Sequence, residues 1–552
     1  MTDARVQSSR EWTFDDEARA RVDAVFQQWD STGTPGMAVG IYRDSEAVYT
    51  HGYGMSNLEH GIPITPGSIF HIASISKQFT DTCIALLAAE GALDVDDDIR
   101  LYVPEVPDFG VTITIRHLIH HVSGLRDQWV LLRLAGWRED DLVTEDDVLD
   151  LVKRQRALNF TPNDEYVYCN TGYTLLSMIV KRVSGRTLRQ FAQERIFGPL
   201  GMTSTHFHDN HSEIVKGRTQ AYQPRDGGGY RISNPVFDVV GTTSLFTTVE
   251  DMAKWNGNFT SAQVGGPALI EQLQTPGTFN NGEPMTYAWG LQRGTYRGTE
   301  RIGHSGADHG YRADFLRLPE FGFAVAVLSN VSNSNPGKLT ERVADAVLGD
   351  QLGPEENVVM APRRNGLPLM VSPSALAGVY RESDGDDYLV VTSKDGRAWL
   401  DFWEPVALTS LGNGRFTSGD NGITVTVTDL DNESLASSIE VVMPGEDEAK
   451  SYTRQDPVVL DPPALNAYVG TYWSDELATS IEMVADRVAG SLTMRRHKYD
   501  DESLTPLTQD VFGRGRLGLV VNFERSADGD VTGFRLTAAR IRNLAFTRRM
   551  PS

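Results

Sequence analysis

The feature that most constrains the fold of this chain is a change of character near residues 361–368. There Ala361-Pro-Arg-Arg-Asn-Gly-Leu-Pro368 reads as a linker, rich in proline, glycine and arginine. Before it, helical and strand patterns are interleaved; after it, helical periodicity mostly vanishes. The tail carries short alternating strands with turn signals, at Tyr388-Leu-Val-Val-Thr392, Thr424-Val-Thr-Val-Thr428 and Val520-Val-Asn-Phe523. That spacing predicts sandwiches or barrels. The tail also repeats itself. Leu376-Ala-Gly-Val-Tyr380 matches Tyr468-Val-Gly-Thr-Tyr472, and Tyr452-Thr-Arg454 matches Phe546-Thr-Arg548. Both offsets are roughly 90 residues, which predicts two similar β-domains split near Asp461-Pro-Pro463. Chance similarity of short β-rich strings is the competing explanation.

The first 350 residues mix both signals. Met37-Ala-Val-Gly-Ile-Tyr42, a turn at Arg43-Asp-Ser45, then Glu46-Ala-Val-Tyr-Thr50 predicts a hairpin. Ile75, Phe79, Cys83, Leu86 and Leu87 recur at helical spacing, so a helix is expected from Ile75 to Glu90, stopped by Gly91. A second helix is expected from Thr171 to Val183, closed by Gly185. The apolar run Phe321-Gly-Phe-Ala-Val-Ala-Val-Leu-Ser329 predicts a buried strand. Strands at both ends with helices between them suggest one sheet completed by both ends and covered by helices.

Composition narrows the function classes. Hydrophobic residues make up 40% and charged residues 23%, an ordinary globular balance, and 552 residues suggest roughly three or four domains. A net charge of −23 argues against nucleic-acid binding, which needs a basic face. Two cysteines, Cys83 and Cys169, exclude a disulfide framework. No run approaches the roughly 18 apolar residues of a spanning helix, so no membrane partner is expected. Residues 1–10 have no apolar core, so no signal peptide is expected and the cytoplasm is the default location.

The chemistry starts at His71-Ile-Ala-Ser-Ile-Ser-Lys-Gln-Phe-Thr80. A serine hydroxyl needs help to act as a nucleophile. Ser74 and Lys77 are three apart, hence neighbours on one helix face. A buried amine loses its proton more easily through desolvation and can then accept the serine proton. The Ser74 N–H, at the helix start, is positioned to hold a developing oxyanion. One or two Ser-x-x-Lys matches are expected by chance in a chain this long, so the motif alone favours an ordinary amphipathic helix.

Two further motifs change that balance. Tyr166-Val-Tyr-Cys-Asn170 supplies a Tyr-x-Asn before a helix: Tyr168 is a candidate proton shuttle, and Asn170 can orient the lysine and a substrate amide. The bland alternative is a loop tyrosine and an N-cap asparagine. Ile302-Gly-His-Ser-Gly-Ala307 precedes an apolar strand, and its small residues, Gly306 among them, permit close approach of a substrate backbone. His304 is expected to face the site, and the Ala307 N–H is the candidate second oxyanion donor.

The order Ser-x-x-Lys, Tyr-x-Asn, His-x-Gly resembles the penicillin-recognising serine hydrolases, a group of penicillin-binding proteins, β-lactamases and related esterases and peptidases. Further landmarks are Ser123-Gly-Leu-Arg-Asp127, Phe160-Thr-Pro162, Gly241-Thr-Thr-Ser244 and Tyr287-Ala-Trp-Gly290. Within the group the chain is most similar to the D-aminopeptidases, in Ser74-Ile-Ser-Lys-Gln-Phe-Thr80, Tyr168-Cys-Asn170 and Gly470-Thr-Tyr-Trp-Ser-Asp-Glu-Leu477. The resemblance implies an α+β fold: a β-lactamase-like catalytic domain over residues 1–360, then small antiparallel β-barrels over 370–458 and 463–552. It implies Ser74 as nucleophile, Lys77 and Tyr168 as shared base, His304 assisting Tyr168, no cofactor or metal, and a homodimer. A loop of the last barrel reaches the active site in these relatives. Here that stretch is Met494-Arg-Arg-His-Lys-Tyr-Asp500, so Arg496, His497 and Lys498 form the expected specificity loop, and its basic character departs from the family pattern.

In penicillin-binding proteins the third motif usually begins with lysine, which attracts a substrate carboxylate. Here it begins with His304, mostly neutral at pH 7. That tilts the expected substrate from carboxyl-terminal peptides and β-lactams toward an N-terminal D-residue, an amide or an ester. The expected function is a D-aminopeptidase-like peptidase or amidase, with an esterase, a β-lactamase or DD-peptidase, or a non-catalytic D-peptide binder as alternatives. A different class of hydrolase is suggested by Gly303-His-Ser-Gly-Ala307, which nearly matches a nucleophile elbow and would make Ser305 the nucleophile. His206, His208 and His211, and the group His117, His120 and His121, make a metal site conceivable, against a polar surface loop and helix packing respectively.

Overall fold

The computed structural model describes residues 11–354, 371–383, 388–400, 406–419, 422–431, 433–443, 449–456, 458, 460–498, 501–514 and 519–549. The chain forms two compact units, one of Met1–Leu125 with Glu139–Asn357, the other of Arg126–Arg138 with Val358–Ser552. The expected linker at 361–368 lies outside the described residues, as do Tyr499 and Asp500 of the expected specificity loop.

The first unit is built on a six-stranded antiparallel sheet. Its strands are β1 (Met37–Arg43), β2 (Glu46–Tyr53), β3 (Gln292–Tyr296), β4 (Thr299–Asp308), β5 (Tyr311–Leu318) and β6 (Phe323–Ser329), in the spatial order β3-β4-β5-β6-β1-β2. The N-terminal hairpin therefore joins the C-terminal strands, with Met37 opposite Ser329. The principal helices are α1 (Asp16–Phe26), α2 (Ser76–Ala89), α3 (Asn170–Ser184), α4 (Val249–Ser261) and α5 (Pro336–Leu348). Both faces of the sheet are covered, which explains the unbroken apolar run of β6. Val325 and Val327 pack with Val22 and Phe26 of α1 and Val343 of α5. Ala324, Ala326 and Leu328 point the other way, into the core with Phe79 of α2 and Trp255 of α4.

Local differences from the sequence reading have local causes. The helix expected from Ile75, α2, begins at Ser76, because Ala73–Ile75 forms a separate 3-10 turn. The last strand begins at Phe323 rather than Phe321, since Pro319–Phe321 is another such turn, capped by left-handed Gly322 at φ 56°. Gly185 closes α3 in the left-handed conformation, φ 71°.

The second unit contains two closed eight-stranded antiparallel barrels. One runs from Gly378–Glu382 to Lys450–Gln455, the other from Gly470–Ser474 to Ile541–Arg549. In each, the last strand pairs with the first: Val379 faces Gln455, and Thr471 faces Arg549. Equivalent residues make equivalent bonds. The Tyr380 hydroxyl donates to the Leu376 carbonyl at 2.7 Å, and the Tyr472 hydroxyl to the Tyr468 carbonyl at 2.8 Å. Arg454 donates to the carbonyls of Ala375 and Ala377, and Arg548 to those of Ala467 and Val469. The short repeats found in the sequence are thus one structural clasp used twice. Within this unit Arg126 and Glu476 form a buried ion pair at 2.6 Å. Among the described residues no helix is long and apolar enough to cross a membrane, and Cys83 and Cys169 are both buried.

Candidate active site

Ser74 lies in the 3-10 turn that leads into α2. The preceding Ala73 has φ 48°, a conformation rare for a residue with a Cβ. The turn leaves Ser74 half-buried while Lys77, one turn later, is fully buried. Three oxygens converge on Lys77 Nζ: Ser74 Oγ at 3.2 Å, Asn170 Oδ1 at 3.1 Å and the Thr242 carbonyl at 2.7 Å. Lys77 Nζ is the donor to all three, Ser74 Oγ included, which places the amine in direct reach of the hydroxyl whose proton it would take.

Asn170 is the first residue of α3, which fixes its side chain beside the lysine. Its Oδ1 also accepts from Thr242 Oγ1 at 2.6 Å. Tyr168 brings its ring centroid 4.8 Å from Lys77 Nζ, and Tyr173 lies at 5.2 Å on the α3 side. The His121 ring packs on Tyr168 at 4.1 Å, and its Nδ1 accepts from the Cys169 N–H at 3.1 Å, fixing the approach to Asn170. Below this layer the Tyr173 hydroxyl donates to Asp81 at 2.7 Å. Burial pushes the Asp81 carboxyl well above the usual range, against the pull of Tyr173 and Lys77.

The third wall is β4. β3 pairs with β4 only up to Gly303, so residues 304–308 present an open edge on that side. Gly306 is where the strand meets the nucleophile turn: a Cβ there would stand 2.4 Å from the Ile72 carbonyl oxygen and 3.1 Å from Ala73 Cβ. Gly290, at φ 66°, fits against α2 in the same way, with a Cβ position 2.7 Å from the Lys77 carbonyl carbon. Ala307 is exposed along the open edge.

His304 Nδ1 lies 2.5 Å from the Ser305 carbonyl, so the proton sits on Nδ1 and Nε2 is the acceptor. That Nε2 takes the Tyr287 hydroxyl at 3.1 Å. The sequence reading paired His304 with Tyr168; their ring centroids are 6.2 Å apart, and Tyr287 packs against both. Burial, aided by the charge of Lys77, pushes His304 down to about 4. The ring is therefore neutral at neutral pH. Beyond Ala307, Asp308 accepts from Thr243 Oγ1 at 2.8 Å and faces His309 Nδ1 at 2.7 Å. Burial alone would raise Asp308, but the bond and charge of His309 hold it at about 2. His71 Nε2 accepts from the Ser244 N–H at 3.2 Å, anchoring the 242–244 segment.

The structure brings Ser74, Lys77, Tyr168, Asn170, His304, Gly306 and Ala307 together in the first unit. Arg496, His497 and Lys498 lie in the second unit, after the strand Ser491–Arg495; Arg496 pairs with Glu502 at 2.7 Å. Ser305 is exposed in mid-strand, not on a strand-to-helix turn, so the elbow geometry is lacking. His117 caps the helix Ile115–Ile119 in a capping box, and His120 and His121 are buried packing residues. Thr242, Tyr287 and His71 have no role assigned from sequence, and His121 only a conceivable metal-binding or packing one. Thr242 and Tyr287 lie inside quoted landmarks, but a backbone carbonyl and a hydrogen bond between distant strands leave no signature in residue type.

The beta-lactamase family model matches residues 22–350. The chain belongs to the beta-lactamase family. Among relatives of this beta-lactamase family chain, a D-aminopeptidase of Gluconobacter oxydans is 30% identical over 351 residues, covering 63% of each chain. The chain thus spans less than two thirds of that relative's length. A D-aminopeptidase of Cereibacter sphaeroides is 28% identical over 376 residues, 66% of this chain and 70% of that one. Solved structures share the fold. The octameric penicillin-binding protein homologue from Pyrococcus abyssi superposes with TM-score 0.55 at 22% identity, covering 79% of this chain and 99% of that one. D-amino acid amidase from Ochrobactrum anthropi gives 0.52 at 21% identity, covering 60% and 98%.

Proposed function

We propose that this chain is a serine hydrolase that works through an acyl-enzyme on Ser74 and releases N-terminal D-residues from short peptides or amides. The observation that carries the reading is the convergence of Ser74 Oγ, Asn170 Oδ1 and the Thr242 carbonyl on fully buried Lys77. Ser74 attacks the carbonyl as Lys77 takes its proton. The N–H groups of Ser74 and Ala307 hold the oxyanion. Tyr168 delivers a proton to the leaving amine, and water then releases the acyl group. His304 acts as a neutral acceptor that fixes Tyr287 against Tyr168.

Specificity follows from charge. A neutral third-motif ring offers no cation to a substrate carboxylate, which disfavours carboxypeptidase and β-lactamase action. The D-aminopeptidase relatives support the amide reading. In this reading Arg496, His497 and Lys498 select the substrate, and the residue divisions 1–360, 370–458 and 463–552 are its domains. A chain with only two cysteines, both buried, suits a cytoplasmic location.

The test is a panel of a D-alanine anilide, its L-isomer, a short p-nitrophenyl ester and a chromogenic cephalosporin, with native protein and Ser74→Ala. D-anilide turnover lost in Ser74→Ala is expected. Ester turnover without D-amide turnover would establish the esterase alternative, and full activity in Ser74→Ala would overturn the mechanism.

A further inference from the structure

Apart from the Ser74 site, the described residues contain one group of three side chains whose ligand atoms come within 4.8 Å of one another: His206, His208 and Glu213. These histidines do not lie in a polar surface loop. His206 and Phe207 form a short strand paired with Leu245–Thr247, and the His208 N–H donates to the Ser244 carbonyl at 2.8 Å. His208 is 5% exposed. Both of its ring nitrogens, and Nε2 of His206, are buried without a hydrogen-bond partner. A neutral imidazole carries one donor and one acceptor, and an enclosed ring that satisfies neither is an uncompensated arrangement.

The Glu213 carboxylate faces this pair. Its Oε2 stands 3.9 Å from His208 Nδ1, too far for a hydrogen bond. Ligands about 2.0–2.1 Å from a tetrahedral zinc ion lie about 3.3 Å from one another, so a modest inward rotation closes the set. Arg189 holds the carboxylate in a fork, at 2.6 and 2.9 Å, and also binds Asp209 at 2.9 Å. Such an outer partner orients a ligating carboxylate. Phe246 stacks on His206 and meets His208 edge-on, leaving the rings little freedom.

We propose that His206, His208 and Glu213 form a binding site for one divalent transition-metal ion, zinc by ligand chemistry, with the fourth position open to water. The ion is a brace, not part of the hydrolysis. It ties the His206–Phe207 strand to the turn that carries Glu213; that strand pairs in turn with Leu245–Thr247, whose preceding segment supplies the Thr242 carbonyl to Lys77.

The test uses the full untagged chain, stripped with a chelator and dialysed against zinc, with bound metal counted by mass spectrometry. Cobalt is substituted in parallel, and the visible absorption of a four-coordinate ion is recorded. One ion per chain is expected, with higher thermal stability of the loaded protein. His206→Asn and Glu213→Gln, both at half-buried positions, should weaken binding at least about tenfold while the metal-free circular dichroism stays native. His211→Asn is the control, because His211 is engaged with Asp238 at 3.0 Å, and it should bind as the native chain does. Absence of stoichiometric metal, or native affinity in both ligand variants, would overturn the proposal. So would loss of the ion in the His211 variant alone.

Discussion

Replacing Gly306 with alanine puts a methyl group where β4 touches the nucleophile turn. The added Cβ would lie 2.4 Å from the Ile72 carbonyl oxygen, whereas ordinary contact begins near 3.4 Å. Backbone therefore has to yield by about 1 Å, since the obstacle is a peptide oxygen and not a pliable side chain. Overpacking of this kind costs about 1–3 kcal/mol. In a unit of this size each kcal/mol lowers Tm by about 2 °C. The kinetic effect is larger, because a shift of about 1 Å between reacting groups costs about 100-fold in rate. The assay is the rate at which a fluorophosphonate or an activated ester acylates Ser74, measured beside a thermal melt. Gly294→Ala is the control, since nothing lies within 4 Å of a Cβ there. Native acylation and a native Tm in Gly306→Ala would refute the argument, as would equal damage in Gly294→Ala.

Acid should destabilise the fold through its buried histidines. Burial pushes His71, His120 and His304 down to about 4 from an ordinary 6.5. Between those values the unfolded chain binds protons that the folded chain refuses. Stability is therefore complete above about pH 6.5 and falls toward pH 4, by about 2 kcal/mol per histidine at pH 5; equal urea midpoints at pH 7 and pH 5 would contradict this. Asn170→Ala removes the acceptor shared by Lys77 and Thr242 and should lower turnover about 100-fold with folding intact by circular dichroism. Arg126→Met breaks the buried pair with Glu476 and should cost about 3–5 kcal/mol by denaturant titration, whereas the double change Arg126→Met/Glu476→Leu should recover most of it.

Sequence periodicity carried the large elements because each buries a face. α2 and α3 appear within a residue or two of their expected bounds, since apolar spacing and the glycines at 91 and 185 mark them. The barrels were legible through Tyr380 and Tyr472, whose clasp requires the same residues in both copies. Lys77 beside Ser74 was legible because helical spacing alone makes them neighbours. The partners of His304 were not. Its Nε2 meets Tyr287 across two segments, and its tautomer is set by a peptide carbonyl, which every residue possesses. Likewise, a three-residue 3-10 turn with Ala73 at positive φ is decided by tertiary contacts, not by local propensity.

The strand order of the catalytic sheet has a consequence for biosynthesis. β1 finds its partner β6 only when Ser329 has been made, since Met37 pairs with it. At roughly 5–20 residues per second, about 290 intervening residues take roughly 15–60 s to emerge. During that interval the nascent hairpin of β1 and β2 offers an unpaired, apolar edge to its surroundings. The barrels, each closed by strands from one contiguous stretch, have no such wait. Holdase chaperones are thus expected to engage nascent chains stalled before residue 329 and to release those stalled after it.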